Sequence, residues 1–269
     1  MESTMRTSIG LLLNVSMFLF TCFAMGAETE SYSLVSQQLV YAESFERVNL
    51  NRWRNIDYQI IEDDINYISP GNGEAHLRVG YQPTEKGSKH YLQNFTLTKA
   101  VKRARLTFDV QFEESFEFVR GGKLHGLGGG MRTVGCTPIQ KNGWSVRIMW
   151  LQNGKPIIYI YHQDRENRCG DEYAGENDFV FVPGKWHAIE LEVKLNTDST
   201  TNDGWATLYI DNIQIVKVEN IKITGSEKAH IDTFMFNTFF GGSDETWKPS
   251  KKVYANFDNF KVISVNQLN

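Results

Sequence analysis

The sequence predicts an all-β fold: a single-domain antiparallel β-jelly roll, a sandwich with one concave face open as a groove. Three observations point there. Hydrophobic periodicity beyond residue 40 is almost entirely of period two, and no segment of helical length carries a 3.6-residue apolar stripe. Turn residues also punctuate the chain at short intervals, with neither a linker nor an internal repeat between them.

The N-terminus reads as an export signal rather than as part of the fold. Arg6 precedes a nearly continuous apolar run from Ile9 to Phe23, and Ala24-Met25-Gly26 offers the small residues that a signal peptidase reads. A secretory signal is therefore expected over 1–26 and the mature domain over 27–269, in a secreted or periplasmic protein with no membrane span. An anchoring helix is the weaker alternative, because the run is short for a bilayer and no second one follows. A lipoprotein is disfavoured by bulky Phe20 close to Cys22.

Beyond the signal, strands are expected at 104–112, 144–152, 157–163, 186–195, 205–218, 231–240 and 253–262, all rich in Val, Ile, Phe, Tyr and Trp. Between and before them stand Pro70-Gly71-Asn72-Gly73, Lys86-Gly87-Ser88, Asn153-Gly154, Pro183-Gly184 and Asn202-Asp203-Gly204, which are turn chemistry. Alternation then sorts the faces. Ile189, Leu191, Val193 and Leu195 point inward while Glu190, Glu192 and Lys194 point outward. Val146, Ile148 and Trp150 share one face, leaving Ser145 and Arg147 on the other; Tyr159 and Tyr161 likewise stand together. If the two strands pair through the Asn153-Gly154 hairpin, a Ser, an Arg and two Tyr share one surface. Cys136 and Cys169 flank this hairpin at similar distances. In an oxidising compartment they are expected to pair at its open end, with stabilisation on the order of 3 to 4 kcal/mol from loop closure; two free thiols are the alternative.

Composition excludes several classes. With 41% hydrophobic, 13% aromatic and 22% charged residues, the chain is neither disordered, collagen-like nor cysteine-rich. A net charge of −4 argues at first sight against polyanionic partners, nucleic acid included. The distribution says more than the total. Between Arg120 and Gln163 lie six basic residues (Arg120, Lys123, Arg132, Lys141, Arg147 and Lys155) and no acidic one, which leaves −10 for the rest of 27–269. The segment Arg120 to Gly130, with six glycines in eleven residues, lacks the Walker ending and the strand-turn-helix context of a phosphate site. By itself it reads as glycine-rich sharp turns. His125, His162 and His187 show no metal-ligand spacing, so neither metal nor cofactor is expected.

Taken in order, Gly121-Gly122-Lys123-Leu124-x-Gly126-Leu127-x-Gly129-Gly130, Trp144-Ser145-x-Arg147-x-Met149-Trp150 and Tyr159-x-Tyr161 resemble polysaccharide lyase family 14 and the related family 20 glucuronan lyases. Lys86-Gly87-Ser88, Gly184-Lys185-Trp186-His187, Phe239-Phe240-Gly241-Gly242 and Phe257-Asp258-Asn259-Phe260 agree as well. The resemblance implies a jelly roll that binds an acidic polysaccharide and cleaves it by β-elimination, with functional positions at Lys123, Ser145, Arg147, Tyr159 and Tyr161. Two positions depart from the pattern. His125 replaces an expected proline, and Lys251-Lys252 stands where an acidic residue is common.

The residues suit that chemistry. Elimination removes a weakly acidic C5 proton beside a carboxylate, whose charge must first be neutralised; Arg147 and Lys123 fit that task. Tyr159 and Tyr161 are expected to serve as base and acid if neighbouring cations lower their pKa, with Ser145 orienting substrate and Lys123 an alternative base. Arg120 and His125 join Lys123 and Arg147 as expected substrate contacts. Poly-mannuronate alginate ranks first and glucuronan second as substrate, and a monomer is expected. Two other classes compete. A glycoside hydrolase needs a positioned pair of carboxylates, which the segment from Arg120 to Gln163 lacks; a non-catalytic carbohydrate-binding protein needs only the fold.

Overall fold

The computed structural model describes residues 35–44, 65–68 and 76–267. The expected signal and the Pro70-Gly71-Asn72-Gly73 turn lie outside them. Strands run at Val35–Glu43 (β1), Ile65–Ile68 (β2), His76–Tyr81 (β3), Pro83–Thr84 (β4), Gly87–Ser88 (β5), Tyr91–Val101 (β6), Arg103–Phe112 (β7) and Gly121–Gly130 (β8). They continue at Gly143–Leu151 (β9), Pro156–Tyr161 (β10), Asp171–Ala174 (β11), Trp186–Lys194 (β12), Gly204–Ile210 (β13), Ile213–Ile221 (β14), Ile231–Phe240 (β15) and Val253–Gln267 (β16). Helix among the described residues is confined to 3-10 turns at Gln152–Gly154 and Glu245–Trp247.

The pairings are antiparallel and build two main sheets. An eight-stranded sheet runs β14-β13-β12-β7-β16-β3-β2 with β1 also on β16, and a six-stranded sheet runs β11-β10-β9-β8-β15-β6. Their facing sides bury a continuous core. Phe108, Phe112, Leu191 and Phe257 come from the first sheet, and Trp144, Trp150, Phe234, Phe236 and Phe240 from the second. The rings meet largely edge-to-face, as at Phe112 and Trp150, 5.5 Å apart. The chain is thus an antiparallel jelly-roll sandwich, as its alternation predicts.

Two elements differ from expectation. The segment 205–218 is two strands rather than one, turned at Asp211-Asn212 with φ of 52° and 64°, the left-handed pair of a two-residue hairpin. The glycine-rich segment is not a set of sharp turns; it is β8, an interior strand of the six-stranded sheet. Glycine serves close packing there. A Cβ at Gly122 would stand 2.1 Å from the Trp150 indole, so the missing side chain makes room for one of the largest core rings.

The outer face of the eight-stranded sheet holds the only outward acids that the alternation of 186–195 singled out. Glu192 receives Arg103 at 2.6 Å and Arg105 at 2.8 Å, and Glu190 lies 3.2 Å from Arg105. Both carboxylates are committed to arginines on the sheet opposite the one that carries the cationic residues described next.

Candidate active site

The Gln152–Gly154 turn joins β9 to β10 in the register that brings Arg147 opposite Tyr159 and Ser145 opposite Tyr161. Asn153 and Gly154 take left-handed φ of 61° and 78°, which Asn and Gly tolerate best. On the other side of β9, β8 sets Lys123 opposite Met149 and Gly126 opposite Arg147. Three residues of β8 therefore span two of β9: a β-bulge at Leu124-His125.

That bulge decides which side chains reach the site. Simple alternation puts Lys123 and His125 on one face. The extra residue sends Leu124 and His125 both into the core and returns Gly126 to the face of Lys123. The His125 ring is fully buried, stacked 4.2 Å from Phe236 and edge-on to Phe108, Phe257 and Phe260. His125 is a core residue, and the expectation that it touches substrate is corrected accordingly. Burial without a hydrogen-bond partner holds its imidazole neutral, with a pKa well below the ordinary histidine value.

On the face turned away from the core, Met149, Ile157, Tyr159 and Tyr161 form a separate cluster against which Leu151 and Trp247 pack. Two cations enter it. The Lys123 ammonium lies 3.8 Å from the centre of the Tyr159 ring and against the Met149 sulfur. Arg147 stands 5.7 Å from the centres of both tyrosine rings. Gly126 makes this possible: a Cβ there would fall 2.1 Å from the Val146 carbonyl oxygen and 2.8 Å from the Arg147 side chain. The Arg147 side chain lies across β8 in the space that glycine leaves.

Arg147 is 4% exposed, and among the described residues it pairs with no carboxylate. Nη1 donates to Asn237 Oδ1 at 3.5 Å, while the buried Nε has no hydrogen-bond partner. An unpaired buried guanidinium costs several kcal/mol of desolvation, on the order that leads proteins to pair such charges. Lys123 is driven in the same direction: burial first, and the Arg147 charge second, hold its ammonium well below the ordinary lysine pKa, against the opposing pull of Glu172.

Tyr159 departs from the sequence expectation. Burial, followed by the hydrogen bond and charge of Tyr161, pushes the Tyr159 phenol up rather than down, so it stays protonated. Its Oη accepts from Gly170 N–H at 2.9 Å, and Tyr161 Oη accepts from Cys136 N–H at 2.9 Å. Ser145 is fully buried and donates to the Thr133 carbonyl at 2.7 Å. That bond anchors the loop between β8 and β9. Arg120 stands at the rim, over the Trp247 ring at 5.1 Å and 3.6 Å from Asp244. Cys136 and Cys169 are bonded to each other, as the hairpin geometry predicts.

Sequence reasoning missed Asn237, Met149, Trp247 and Arg165. Alternation from Phe234 and Phe236 carries a signal for Asn237, a polar residue on the non-core face of an apolar strand. Trp247 and Arg165 lie on loops, where no periodicity applies.

Where a hydrolase carries a pair of carboxylates, this sheet face is cationic and phenolic, the equipment of an enzyme that eliminates across a sugar rather than adding water to it. The family model for polysaccharide lyase 14 matches residues 71–260, and the chain belongs to that family; it is a polysaccharide lyase. Among solved structures, the alginate lyase Aly36B is 24% identical with a TM-score of 0.67, over 87% of this chain and 98% of its own. The marine PL-14 alginate lyase from Aplysia kurodai is 24% identical with a TM-score of 0.67, over 86% and 98%. The endo-β-1,4-glucuronan lyase from the fungus Trichoderma reesei is 14% identical with a TM-score of 0.55, over 78% and 91%. At these identities the likeness is one of fold. No curated protein sequence matches the chain.

Proposed function

We propose that the protein cleaves a 4-linked uronic-acid polysaccharide by β-elimination, with poly-mannuronate alginate the first candidate and glucuronan the second. The observation that carries this is Arg147. A buried guanidinium with an orphaned Nε, no carboxylate partner among the described residues and a depressed lysine beside it forms a site that lacks its anion. A uronate carboxylate supplies one.

In this reading Arg147, steadied by Asn237, neutralises the C5 carboxylate and so acidifies the C5 proton. Lys123, held toward its neutral form, takes that proton, which moves the base role from the tyrosines to the amine. The C5–H electrons form the C4=C5 double bond, the C4–O4 bond breaks, and one phenol of the Tyr159–Tyr161 pair gives up its proton to O4, to be restored from the Lys123 ammonium. β-D-Mannuronate and β-D-glucuronate differ at C2 and share configuration at C4 and C5, so this machinery serves both. The alginate and glucuronan lyases of the same fold support that pair of substrates. The outward face of the six-stranded sheet would form the groove for the polymer, with Arg120 at its rim. Export through the 1–26 signal accords with the disulfide.

The test is to assay purified protein on poly-mannuronate, poly-guluronate, glucuronan and hyaluronan, following the ultraviolet absorbance of the unsaturated product and sizing the fragments. Absorbance on poly-mannuronate or glucuronan is expected. Binding without absorbance on all four would make this a carbohydrate-binding protein, and cleavage without absorbance a hydrolase.

A further inference from the structure

Two loops bracket the tyrosines: 131–142, between β8 and β9, and 162–170, between β10 and β11. Each contributes one backbone N–H to one phenol. Cys136 N–H reaches Tyr161 Oη at 2.9 Å, and Gly170 N–H reaches Tyr159 Oη at 2.9 Å. The Cys136–Cys169 bond joins these same loops, and it does so at Cys136 itself and at the residue next to Gly170. Two hydrogen bonds cross the same junction: Arg165, 4.9 Å from the centre of the Tyr161 ring, donates to the Thr137 carbonyl, and Gln163 Nε2 donates to the Gln140 carbonyl at 3.0 Å. Ser145 separately ties Thr133 to β9. Gly135 and Cys136 both adopt left-handed backbone, with φ of 66° and 60°, a turn that residues other than glycine rarely hold without a constraint.

We propose that the Cys136–Cys169 disulfide is a positioning device for the reaction, holding two backbone N–H donors on the Tyr159 and Tyr161 oxygens. The proposal rests on the reading that these tyrosines act at the scissile bond. A phenol oxygen that accepts from the backbone turns its own proton elsewhere, and the accepted bond also favours release of that proton. One covalent link thereby orients both hydroxyls at once. Both cysteines are partly exposed, so a reductant reaches them.

The experiment compares the oxidised enzyme with enzyme treated with dithiothreitol and with the Cys136→Gly variant. Dithiothreitol breaks the S–S bond, leaves two cysteine thiols and is itself oxidised to its cyclic disulfide. Glycine keeps the N–H, suits the left-handed φ and removes the bridge. At a temperature where circular dichroism shows all three folded, the unbridged forms are expected to lose about tenfold or more in kcat with KM within about threefold. The alkaline limb of the kcat profile should move upward, because the Tyr159 oxygen, on losing the Gly170 N–H, holds its own proton more tightly. Unchanged kcat and an unchanged pH profile overturn the proposal.

A second measurement needs neither a folded cysteine variant nor a substrate. In amide NMR spectra, Tyr161→Phe should move the Cys136 resonance and Tyr159→Phe the Gly170 resonance, and reduction of the wild-type protein should move both. Amides that stay in place on reduction overturn the proposal. A protein inactive on every uronate polymer would instead sink the functional reading, and the amide test would still decide this one.

Discussion

Lys123 and Arg147 enter one cluster, and the proposed reaction asks for a neutral amine beside a charged guanidinium, which their chemistry allows. Guanidinium keeps its proton when buried, whereas an amine surrenders it. The Lys123 role therefore requires the neutral form, and kcat/KM should rise with pH through its lowered pKa. Lys123→Ala is expected to reduce kcat by about 10²-fold to 10⁴-fold, and Lys123→Arg should not restore it because arginine stays protonated. Initial rates from product absorbance check both.

His125 makes a separate prediction about stability. Its folded pKa lies well below the unfolded value, so below about pH 6.5 the unfolded chain binds a proton that the folded chain refuses. Stability from this residue is intact above the unfolded pKa and falls on acidification, with a limiting slope of about 1.4 kcal/mol per pH unit. His125→Leu should flatten that dependence, raising the melting temperature at pH 5 relative to wild type by more than it does at pH 8. Thermal melts at the two pH values decide it.

At the scale of elements, the hairpin β9-β10 was legible and β8 was not. Trp144 to Trp150 and Ile157 to Tyr161 alternate cleanly about an Asn-Gly turn, so the shared face of Arg147, Tyr159 and Tyr161 follows from counting by two. The same count put Ser145 on the correct face but could not show that its hydroxyl is taken by the Thr133 carbonyl of a loop that passes over it. In β8 the glycines hide strand character, and the bulge reverses parity after Lys123; no local pattern announces it. Gly126→Ala would test the close approach. Its Cβ would meet backbone atoms at 2.1 Å and 2.6 Å, so β8 and β9 must move apart. A loss of about 1 to 3 kcal/mol is expected from such overpacking, read from the denaturation midpoint, with kcat falling as Arg147 is displaced.

For the whole molecule, charge is unevenly placed. Arg120, Lys123, Arg147 and Arg165 all contact aromatic rings of the site cluster. Glu190 and Glu192 are held by arginines on the outer face of the opposite sheet. A net charge of −4 thus conceals one face on which basic residues gather, with Glu172 beside them. If that face draws in a polyanion, kcat/KM should fall as sodium chloride is raised to about 0.5 M while kcat changes little, since screening acts on encounter more than on a buried contact. Steady-state kinetics across a salt series would reveal it, and an equal fall in both constants would argue against steering.

Period-two hydrophobicity determined the sandwich, and residue spacing determined the family and the basic, phenolic set, because both are local properties that a chain displays before it folds. Tertiary structure alone decided that Lys123 joins Arg147, Tyr159 and Tyr161 while His125 turns away, and in which direction Lys123 and Tyr159 titrate. Parity was reversed by a bulge at Leu124-His125, which turns His125 into the Phe-lined core. Lys123 and Tyr159 acquired their shifts from burial, which depends on residues distant in sequence and is invisible to any count along the chain.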